Sequence, residues 1–245
     1  MSNVPSEIKP RILVTGPGGR LGPHVLPTLR EHFEVVLLDK RPLPNEPDTI
    51  VTDLQDRNVL VEAMRDCHAV LHLAAQADEA PFVEQLVEPN VIGAYNVFEA
   101  ARLAGVKRIV FASTIQTVGN NQERPVETTD LARPITTYAA TKLFGEALGR
   151  YYHDTHGLEV VAVRIGWFQP YDSPLLRENQ RCRERWLSPR DAANIFVTAL
   201  SKPGIGYAIV FATSITQAEV ISRKSMREIL DYTPVDTVQS VAVSK

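Results

Sequence analysis

The sequence predicts an α/β fold in which a parallel, doubly wound sheet carries helices on both faces. The chain has 245 residues, 44% of them hydrophobic and 22% charged, which is sufficient for one large buried core. Short apolar runs alternate along it with longer segments of helical spacing. Because the apolar residues of each run are consecutive, both faces of the predicted sheet are covered.

Seven apolar runs are predicted to form the strands of this sheet. Each run is rich in Val, Ile or Leu, and most are followed by a helix-like segment, which is the order of a βαβ unit. The predicted strands cover residues 11–15, 34–38, 48–51, 69–74, 108–112, 159–165 and 207–212.

Two of the predicted helices are long, at residues 82–104 and 135–156. Each has apolar side chains three to five residues apart, enough for one stripe on the sheet and a second stripe for a partner subunit. We therefore expect a homodimer. The helix after the first strand contains Pro27, which removes one backbone hydrogen bond and permits a kink.

The carboxyl-terminal third of the sequence has a different pattern. Residues 167–187 show no period and are rich in Arg, Pro and Glu, so we predict a loop lobe that covers a ligand. Ser188 caps a new helix, with Pro189 at its first position and Asp191 near a capping-box position, and a short helix is predicted at 226–230. We expect one domain over residues 1–245, with a substrate-covering lobe formed mainly by 167–188 and 213–245.

Charge and cysteine content exclude several classes of partner. The formal net charge is −3 and no run of like charges occurs, which argues against binding to nucleic acid or to an anionic membrane. The beginning of the sequence lacks the apolar core of a signal peptide, and no apolar stretch approaches the ~18 residues of a membrane helix. Cys67 and Cys182 lie far apart without metal-ligand spacing, so we expect no metal site and a reducing, cytoplasmic location, with a single disulfide as the alternative.

A glycine motif follows the first predicted strand. Gly16, Gly19 and Gly22 have G-x-x-G-x-x-G spacing, which permits a tight turn and brings backbone N–H groups close to a pyrophosphate at a helix amino terminus. Asp39 ends the next strand, where a carboxylate accepts hydrogen bonds from an adenosine ribose and repels a 2′-phosphate. We therefore expect NAD rather than NADP. The neighbouring Lys40 and Arg41 leave pairing with a 2′-phosphate as the alternative.

A second motif, Tyr138-x-x-x-Lys142, lies in one of the long predicted helices. Residues four apart share a helix face, so the ammonium of Lys142 can lie beside the phenol and favour its phenolate form. A phenolate in that place can remove a hydroxyl proton while hydride leaves the same carbon. Without the glycine motif, an exposed tyrosine beside a solvated lysine would be the simpler interpretation.

Together these residues resemble the extended, epimerase-like branch of the short-chain dehydrogenase/reductase superfamily. The resemblance is carried in order by VTGPGGRLG (14–22), LLD (37–39), TDL (52–54), HLAA (72–75), N-x-x-G-x-x-N (90–96), FAST (111–114), the Tyr138–Lys142 motif and VRIG (163–166). It implies a Rossmann-like fold, an NAD cofactor and oxidoreductase activity on a CH–OH group.

The resemblance also implies individual roles. The catalytic residues are expected to be Thr114, Tyr138 and Lys142. Contacts to NAD are expected from Gly16, Gly19, Arg20, Leu21, Gly22, Asp39, Lys40, Asp53, Leu54, Leu73, Ala74, Ala75, Asn90, Tyr138, Lys142 and Ile165. Contacts to substrate are expected from Ala77, Ser113, Ile115, Gln116, Trp167 and Arg181.

Within that branch the chain is similar to the uronate dehydrogenases, notably in residues 81–105 and 181–192. That family oxidises the ring form of a hexuronate to a lactone, which implies Arg181 as the clamp for a substrate carboxylate, with Arg183 or Arg185 as alternatives. Ala77, Ile115, Gln116 and Trp167 depart from the polar sugar contacts of that family, so a related aldose is also an expected substrate.

Three other functions share parts of these motifs. A nucleotide-sugar epimerase would use the same cofactor and catalytic residues, but only about 80 residues follow the VRIG strand, fewer than a nucleotide subsite is expected to need. Dehydratases of this branch have an Asp-Glu pair after the catalytic Thr, where this chain has Ile115 and Gln116. A catalytically silent NAD-binding regulator would not need Tyr138 and Lys142.

Overall fold

The computed structural model describes residues 9–119 and 124–239. Seven of its strands form one parallel sheet: β1 (Arg11–Thr15), β2 (Glu34–Asp39), β3 (Ile50–Val51), β4 (Ala69–His72), β5 (Arg108–Thr114), β6 (Glu159–Ile165) and β9 (Tyr207–Ala212). Their spatial order is β3-β2-β1-β4-β5-β6-β9. The chain order reverses next to β1, so the crevice at the carboxyl ends of β1 and β4 is the expected place for a ligand.

Helices cover both faces of the sheet, as the sequence predicts. One apolar cluster joins the sheet to α1 (Gly22–His32) and α7 (Pro189–Ser201). The other joins it to α2 (Arg57–Ala63), α3 (Gly93–Ala104) and α4 (Thr137–His156). The remaining α-helices are α5 (Leu175–Glu178), α6 (Gln180–Glu184) and α8 (Lys224–Leu230), and a 3₁₀ turn spans Ile115–Thr117. The doubly wound, Rossmann-like fold is confirmed.

The long predicted helix at 82–104 has two kinds of winding. Phe82–Ile92 is π-helical and leads directly into α3. Pro89 lies inside this π segment, where it has no N–H to donate, and Gly93 donates to the carbonyl of Glu88, five residues back. The other long helix begins at Thr137 rather than 135, because the Thr136 hydroxyl accepts a hydrogen bond from the nitrogen of Ala139 and ends the preceding loop.

Several predicted boundaries were also wrong. The fifth strand extends to Thr114, the third contains only Ile50–Val51 and the fourth ends at His72. The second strand ends at Asp39, as expected from the position of that carboxylate. The first helix, by contrast, contains Pro27 in its interior, as predicted. The last helix begins at Lys224 instead of 226.

Residues 167–187 are not the irregular loop that their sequence predicts. They contain β7 (Trp167–Phe168), α5, α6 and β8 (Trp186–Leu187), and β7 pairs with β8. Leu176, Cys182 and Trp186 form a small apolar core with Val238. These elements were missed because each spans only two to five residues, too few to show a period.

The start of α7 joins the carboxyl-terminal residues to the rest of the chain. The Ser188 hydroxyl accepts from the nitrogen of Asp191, as the predicted cap requires. The Asp191 carboxylate does not complete a capping box; it accepts from the hydroxyls of Ser214 and Tyr232 instead. Asp236 likewise accepts from Ser188 and Tyr171 over 2.6 and 2.8 Å. Residues 240–245 of the predicted lobe and residues 1–8 lie outside the described part of the chain.

The sequence predicts neither a membrane helix nor a metal site, and the structure bears on both only for the described residues. No helix in ranges 9–119 and 124–239 is both long and apolar enough to cross a bilayer. The same ranges contain no group of three His, Cys, Asp or Glu side chains placed to hold a metal ion. Cys67 and Cys182 are both buried and unbonded to each other.

Candidate active site

The glycine loop closes tightly between β1 and α1. Gly16 has a φ of +70°, and a Cβ there would lie 2.5 Å from the backbone of Ala74. A Cβ at Gly22 would lie 1.8 Å from the carbonyl oxygen of Pro17, so that position has room only for glycine. Such a loop before a helix amino terminus has the form that accepts a pyrophosphate.

Two cavities meet at this loop and form one cleft. Both are lined by Gly16, Gly19, Leu73 and Ala75. The smaller, of about 360 Å³, continues to Asp39, Asp53 and Leu54 and is called the adenosine end here. The larger, of about 710 Å³, continues to Thr114, Tyr138, Lys142 and Ile165 and is called the catalytic end. The shape and lining residues of the cleft therefore suit a dinucleotide whose pyrophosphate lies at the glycine loop.

Most of the expected cofactor residues line this cleft. They are Gly16, Gly19, Arg20, Leu21, Asp39, Lys40, Asp53, Leu54, Leu73, Ala74, Ala75, Tyr138, Lys142 and Ile165. Neither cavity is lined by Gly22, which packs against Pro17, or by Asn90. The Asn90 side chain is buried and exchanges hydrogen bonds with the backbone of Gln76, and it also donates to Thr141. Asn90 thereby holds the loop after β4 against α4.

The catalytic end brings together three side chains from two elements. Tyr138 lies in the first turn of α4 and Lys142 one turn later, with the Lys142 ammonium 5.7 Å from the centre of the Tyr138 ring. Thr114 ends β5, and its hydroxyl oxygen accepts from the nitrogen of Gln116. Glu79 holds the amino terminus of α4 by accepting from the Thr137 hydroxyl over 2.6 Å and the Tyr138 nitrogen over 3.1 Å.

Burial dominates the titration of these groups. It lowers the pKa of Lys142 to about 7 and raises the pKa of Tyr138, which the charge of Asp78 raises further and that of Arg20 lowers. Among the protein's own groups, burial outweighs the favourable charge of Arg20, so a lowered pKa of Tyr138 stays a prediction for the site with NAD bound. His72 is buried in the core: its Nδ1 is 2.7 Å from the Thr15 hydroxyl, and burial lowers its pKa to about 3.

All six expected substrate residues border the catalytic end: Ala77, Ser113, Ile115, Gln116, Trp167 and Arg181. The Ser113 hydroxyl, however, already donates a hydrogen bond to the Glu146 carboxylate, although Ser113 borders the cavity. Of the alternative arginines, Arg185 lines the cavity, whereas Arg183 donates to the carbonyl of Arg177.

Sequence reasoning missed other residues of this wall. Asp78 lines the cavity and pairs with Arg20 across the cleft, over 2.5 Å. Gln169 and Leu175 belong to the lobe segment without a period, so only their nearness to Trp167 could have indicated them. Ile135 and Ile221 complete the apolar part of the lining.

A parallel doubly wound sheet with a glycine loop, and a Tyr-Lys pair in the same cleft, define a dinucleotide-dependent enzyme class. The model of the NAD dependent epimerase/dehydratase family matches residues 12–169. The chain belongs to that family.

Relatives and solved structures agree with this assignment. The NAD-dependent glucose-6-phosphate dehydrogenase of Haloferax volcanii is 34% identical, with 92% of this chain and 93% of that protein covered. The uronate dehydrogenase of Agrobacterium fabrum is 36% identical, with coverage of 85% and 78%. The crystal structure of uronate dehydrogenase from Agrobacterium tumefaciens superposes with a TM-score of 0.84 at 33% identity, covering 95% of this chain and 86% of that one.

Proposed function

We propose that this protein is an NAD-dependent dehydrogenase that oxidises a sugar hydroxyl. The observation that carries the proposal is the single cleft in which Tyr138, Lys142 and Thr114 share a cavity wall with the glycine loop. Uronate and glucose-6-phosphate dehydrogenases among the relatives support a sugar as the substrate class. A catalytically silent regulator would have no use for a buried Tyr-Lys pair at the end of this cleft.

The adenosine end favours NAD over NADP. Asp39 and Asp53 line it together with Glu84 and Glu88, so a 2′-phosphate would meet several carboxylates. Lys40 and Arg41 also line it, and they supply the only cationic groups among the described lining residues of that cavity. The excess of carboxylates there supports a preference for an unphosphorylated ribose.

The catalytic residues have distinct tasks. Tyr138 accepts the proton of the substrate hydroxyl, and Thr114 hydrogen-bonds the same oxygen, so that the carbon can become a carbonyl. When bound, NAD would supply the acceptor for the hydride of that carbon and the positive charge of an oxidised nicotinamide. Lys142 adds a positive charge on the helix face of Tyr138 when it is protonated. Together these charges oppose the effect of burial on the phenol.

The substrate is a hexuronate or a related aldose, oxidised at the anomeric carbon to a lactone. Arg181 lines the catalytic end, and a guanidinium can bind a carboxylate through two parallel hydrogen bonds. Ile115, Trp167 and Ile221 make another part of the wall apolar. The pocket therefore combines a cationic side for an acid group with a surface that suits a less hydroxylated sugar face.

A homodimer in the cytoplasm completes the proposal. Tyr95 and Leu103 on α3, and Phe144 and Tyr151 on α4, leave 38 to 53% of their surface exposed and follow helical spacing. α3 and α4 pack side by side, so a second copy of the chain could cover both stripes in a four-helix interface. Two buried thiols that are not bonded to each other support a reducing compartment.

A substrate panel tests the function. The protein is mixed with NAD and with hexuronates, neutral aldoses, sugar phosphates or nucleotide sugars, and absorbance of the reduced cofactor is followed. We expect reduction with acidic sugars or aldoses and none with nucleotide sugars. NAD binding without reduction by any sugar would favour the silent regulator, and isomerisation of a nucleotide sugar without net reduction would favour the epimerase.

A further inference from the structure

A buried ion pair joins three elements directly behind the catalytic groups. Glu146 of α4 accepts two hydrogen bonds from Arg164 of β6, over 2.9 and 2.7 Å. The hydroxyl of Ser113, on β5, donates to the same carboxylate over 2.6 Å. All three residues are 3% exposed or less. We call Glu146, Arg164 and Ser113 the Glu146 clamp.

The clamp lies next to the catalytic residues in both strands and in the helix. Ser113 and Arg164 are register partners in the β5–β6 pair, and the next partners along the strands are Thr114 and Ile165. Glu146 follows Lys142 by one helical turn, so both side chains lie on the same side of α4. The clamp thus links the strand pair that carries Thr114 and Ile165 to the helix that carries Tyr138 and Lys142.

Two glycines let α4 come close enough for this contact. A Cβ at Gly145 would lie 2.2 Å from the ring of Phe111, and one at Gly149 would lie 2.7 Å from Val160. The helix backbone therefore rests directly on β5 and β6. Because the glycines lie on either side of Glu146, its carboxylate reaches the strands instead of solvent.

Stability alone gives a weak reason for such a pair. A buried ion pair often contributes no more to folding than apolar side chains of similar volume would. Within the described residues, Nη1 of Arg164 is also buried without a hydrogen-bond partner, which is a cost. The Glu146 carboxylate is paired with the Arg164 guanidinium, so the clamp brings no net charge to the site and is expected to act through position.

We propose that Glu146 is a positioning residue, and that its clamp fixes Thr114 and Ile165 relative to Tyr138 and Lys142. The inference rests on the proposed function, because it assigns these four residues to the nicotinamide and the reacting hydroxyl. It also gives Ser113 a role in the clamp rather than in direct contact with the substrate.

The same two strands provide a matched control at their other end. Arg108 and Glu159 are also register partners of β5 and β6, and the Arg108 guanidinium donates to the Glu159 carboxylate over 2.8 Å. Arg108 is 3% exposed, like the members of the clamp. This pair lies roughly 16 Å from Ser113 along the strand, away from the cleft.

The test compares Ser113→Ala and Glu146→Gln with Glu159→Gln and with wild type. The affinity for NADH depends on both ends of the cleft. ADP-ribose lacks the nicotinamide, so its affinity depends mainly on the adenosine end. We expect about fivefold weaker NADH binding in both clamp variants, with ADP-ribose binding unchanged. With D-glucuronate or D-glucose 6-phosphate as substrate, kcat should fall about tenfold or more in the clamp variants while Glu159→Gln stays near wild type.

A double variant separates position from stability. Glu146→Leu with Arg164→Met replaces the pair by apolar groups and should restore the melting temperature lost in Glu146→Gln, without restoring kcat. Recovery of kcat together with the melting temperature would overturn the proposal, as would equal loss of kcat in Glu159→Gln. A wild-type protein that binds NADH but oxidises no sugar would refute the proposed function, while the NADH and ADP-ribose comparison would still decide the role of the clamp.

Discussion

The carboxylate of Asp39 fastens the glycine loop, because its Oδ2 accepts a hydrogen bond from the backbone nitrogen of Gly18 over 2.9 Å. Its Oδ1 accepts from the backbone nitrogen of Arg41 over 3.1 Å. Asp39 is only 6% exposed, and the two backbone donors on either side fix its orientation. A charge held in this way cannot rotate away from a group that approaches the adenosine ribose.

The first prediction is that NAD binds at least about tenfold more tightly than NADP, a difference of about 1.4 kcal/mol. Asp39→Asn should reduce this preference, because it removes the negative charge and keeps the shape of the side chain. Calorimetry with both cofactors measures the effect. Equal or tighter binding of NADP by wild type would assign Lys40 and Arg41 to a 2′-phosphate instead.

The second prediction concerns the proton acceptor. Tyr138→Phe removes the phenolic oxygen and should lower kcat by about 100-fold or more, with little change in NAD affinity. Tyr151→Phe is the matched control, because Tyr151 lies on the same helix and is 53% exposed. Steady-state kinetics and calorimetry give both quantities, and full activity of Tyr138→Phe would exclude the proposed chemistry.

The third prediction follows from the buried amine of Lys142. Its pKa is about 7 in the folded protein and about 10.4 in the unfolded chain, so the unfolded chain binds more protons between these values. The destabilisation from Lys142 is therefore full below pH 7 and decreases as pH rises toward 10. Lys142→Met should melt higher than wild type at pH 7, and this gap should narrow at pH 9.

Scanning calorimetry at the two pH values checks this prediction. A gap in melting temperature that does not change with pH would show that Lys142 titrates normally. Lys142 is also an expected contact to NAD, so Lys142→Ala should weaken NAD binding and lower kcat. The combination of higher stability and lower function would identify Lys142 as a residue kept for function at a cost in folding.

The fold and most of the cleft could be predicted because their signals are local. Gly16 and Gly19 follow directly on an apolar run, and Tyr138 and Lys142 share a helix face at a fixed spacing. These patterns do not depend on knowing what packs against them. For the same reason the order of strands and helices was predictable although individual ends were displaced by a few residues.

The features that were missed depend on contacts between distant parts of the chain. Glu146 is an acidic residue in a helix, which ordinarily indicates a solvated position, and only the close approach at Gly145 and Gly149 buries it. The flanking glycines were the available signal. The π winding of Phe82–Ile92 and the pairing of Asp78 with Arg20 likewise have no local pattern that could have indicated them.

The fourth prediction concerns recognition of the substrate. Arg181→Ala should raise KM for an acidic sugar far more than for a neutral one, because it removes the partner of the carboxylate. Arg183→Ala is the control, since the Arg183 guanidinium donates to the carbonyl of Arg177. If neutral sugars react as well as acidic ones in wild type, the uronate assignment is excluded.

The fifth prediction concerns assembly. Light scattering at micromolar concentration should give about twice the chain mass of 27.2 kDa. Leu103→Glu places a charge on an exposed position of α3 and should give the single-chain mass. Leu131→Glu, which changes an 86% exposed side chain outside the helices, should leave the mass unchanged. A single-chain mass for wild type would refute the dimer.

The residues proposed for substrate recognition and those proposed for catalysis lie on different elements, and the small β7–β8 pair belongs to the first group. Trp167 and Trp186 are register partners in this pair. Arg181, in α6, and Arg185, which follows α6, lie between the two strands in sequence. Thr114 and Tyr138, which we propose to bind the reacting hydroxyl and accept its proton, belong instead to β5 and α4. Mutations confined to 167–187 can therefore alter which sugars are accepted while hydride transfer persists, so that new substrate ranges can evolve through intermediates that remain active.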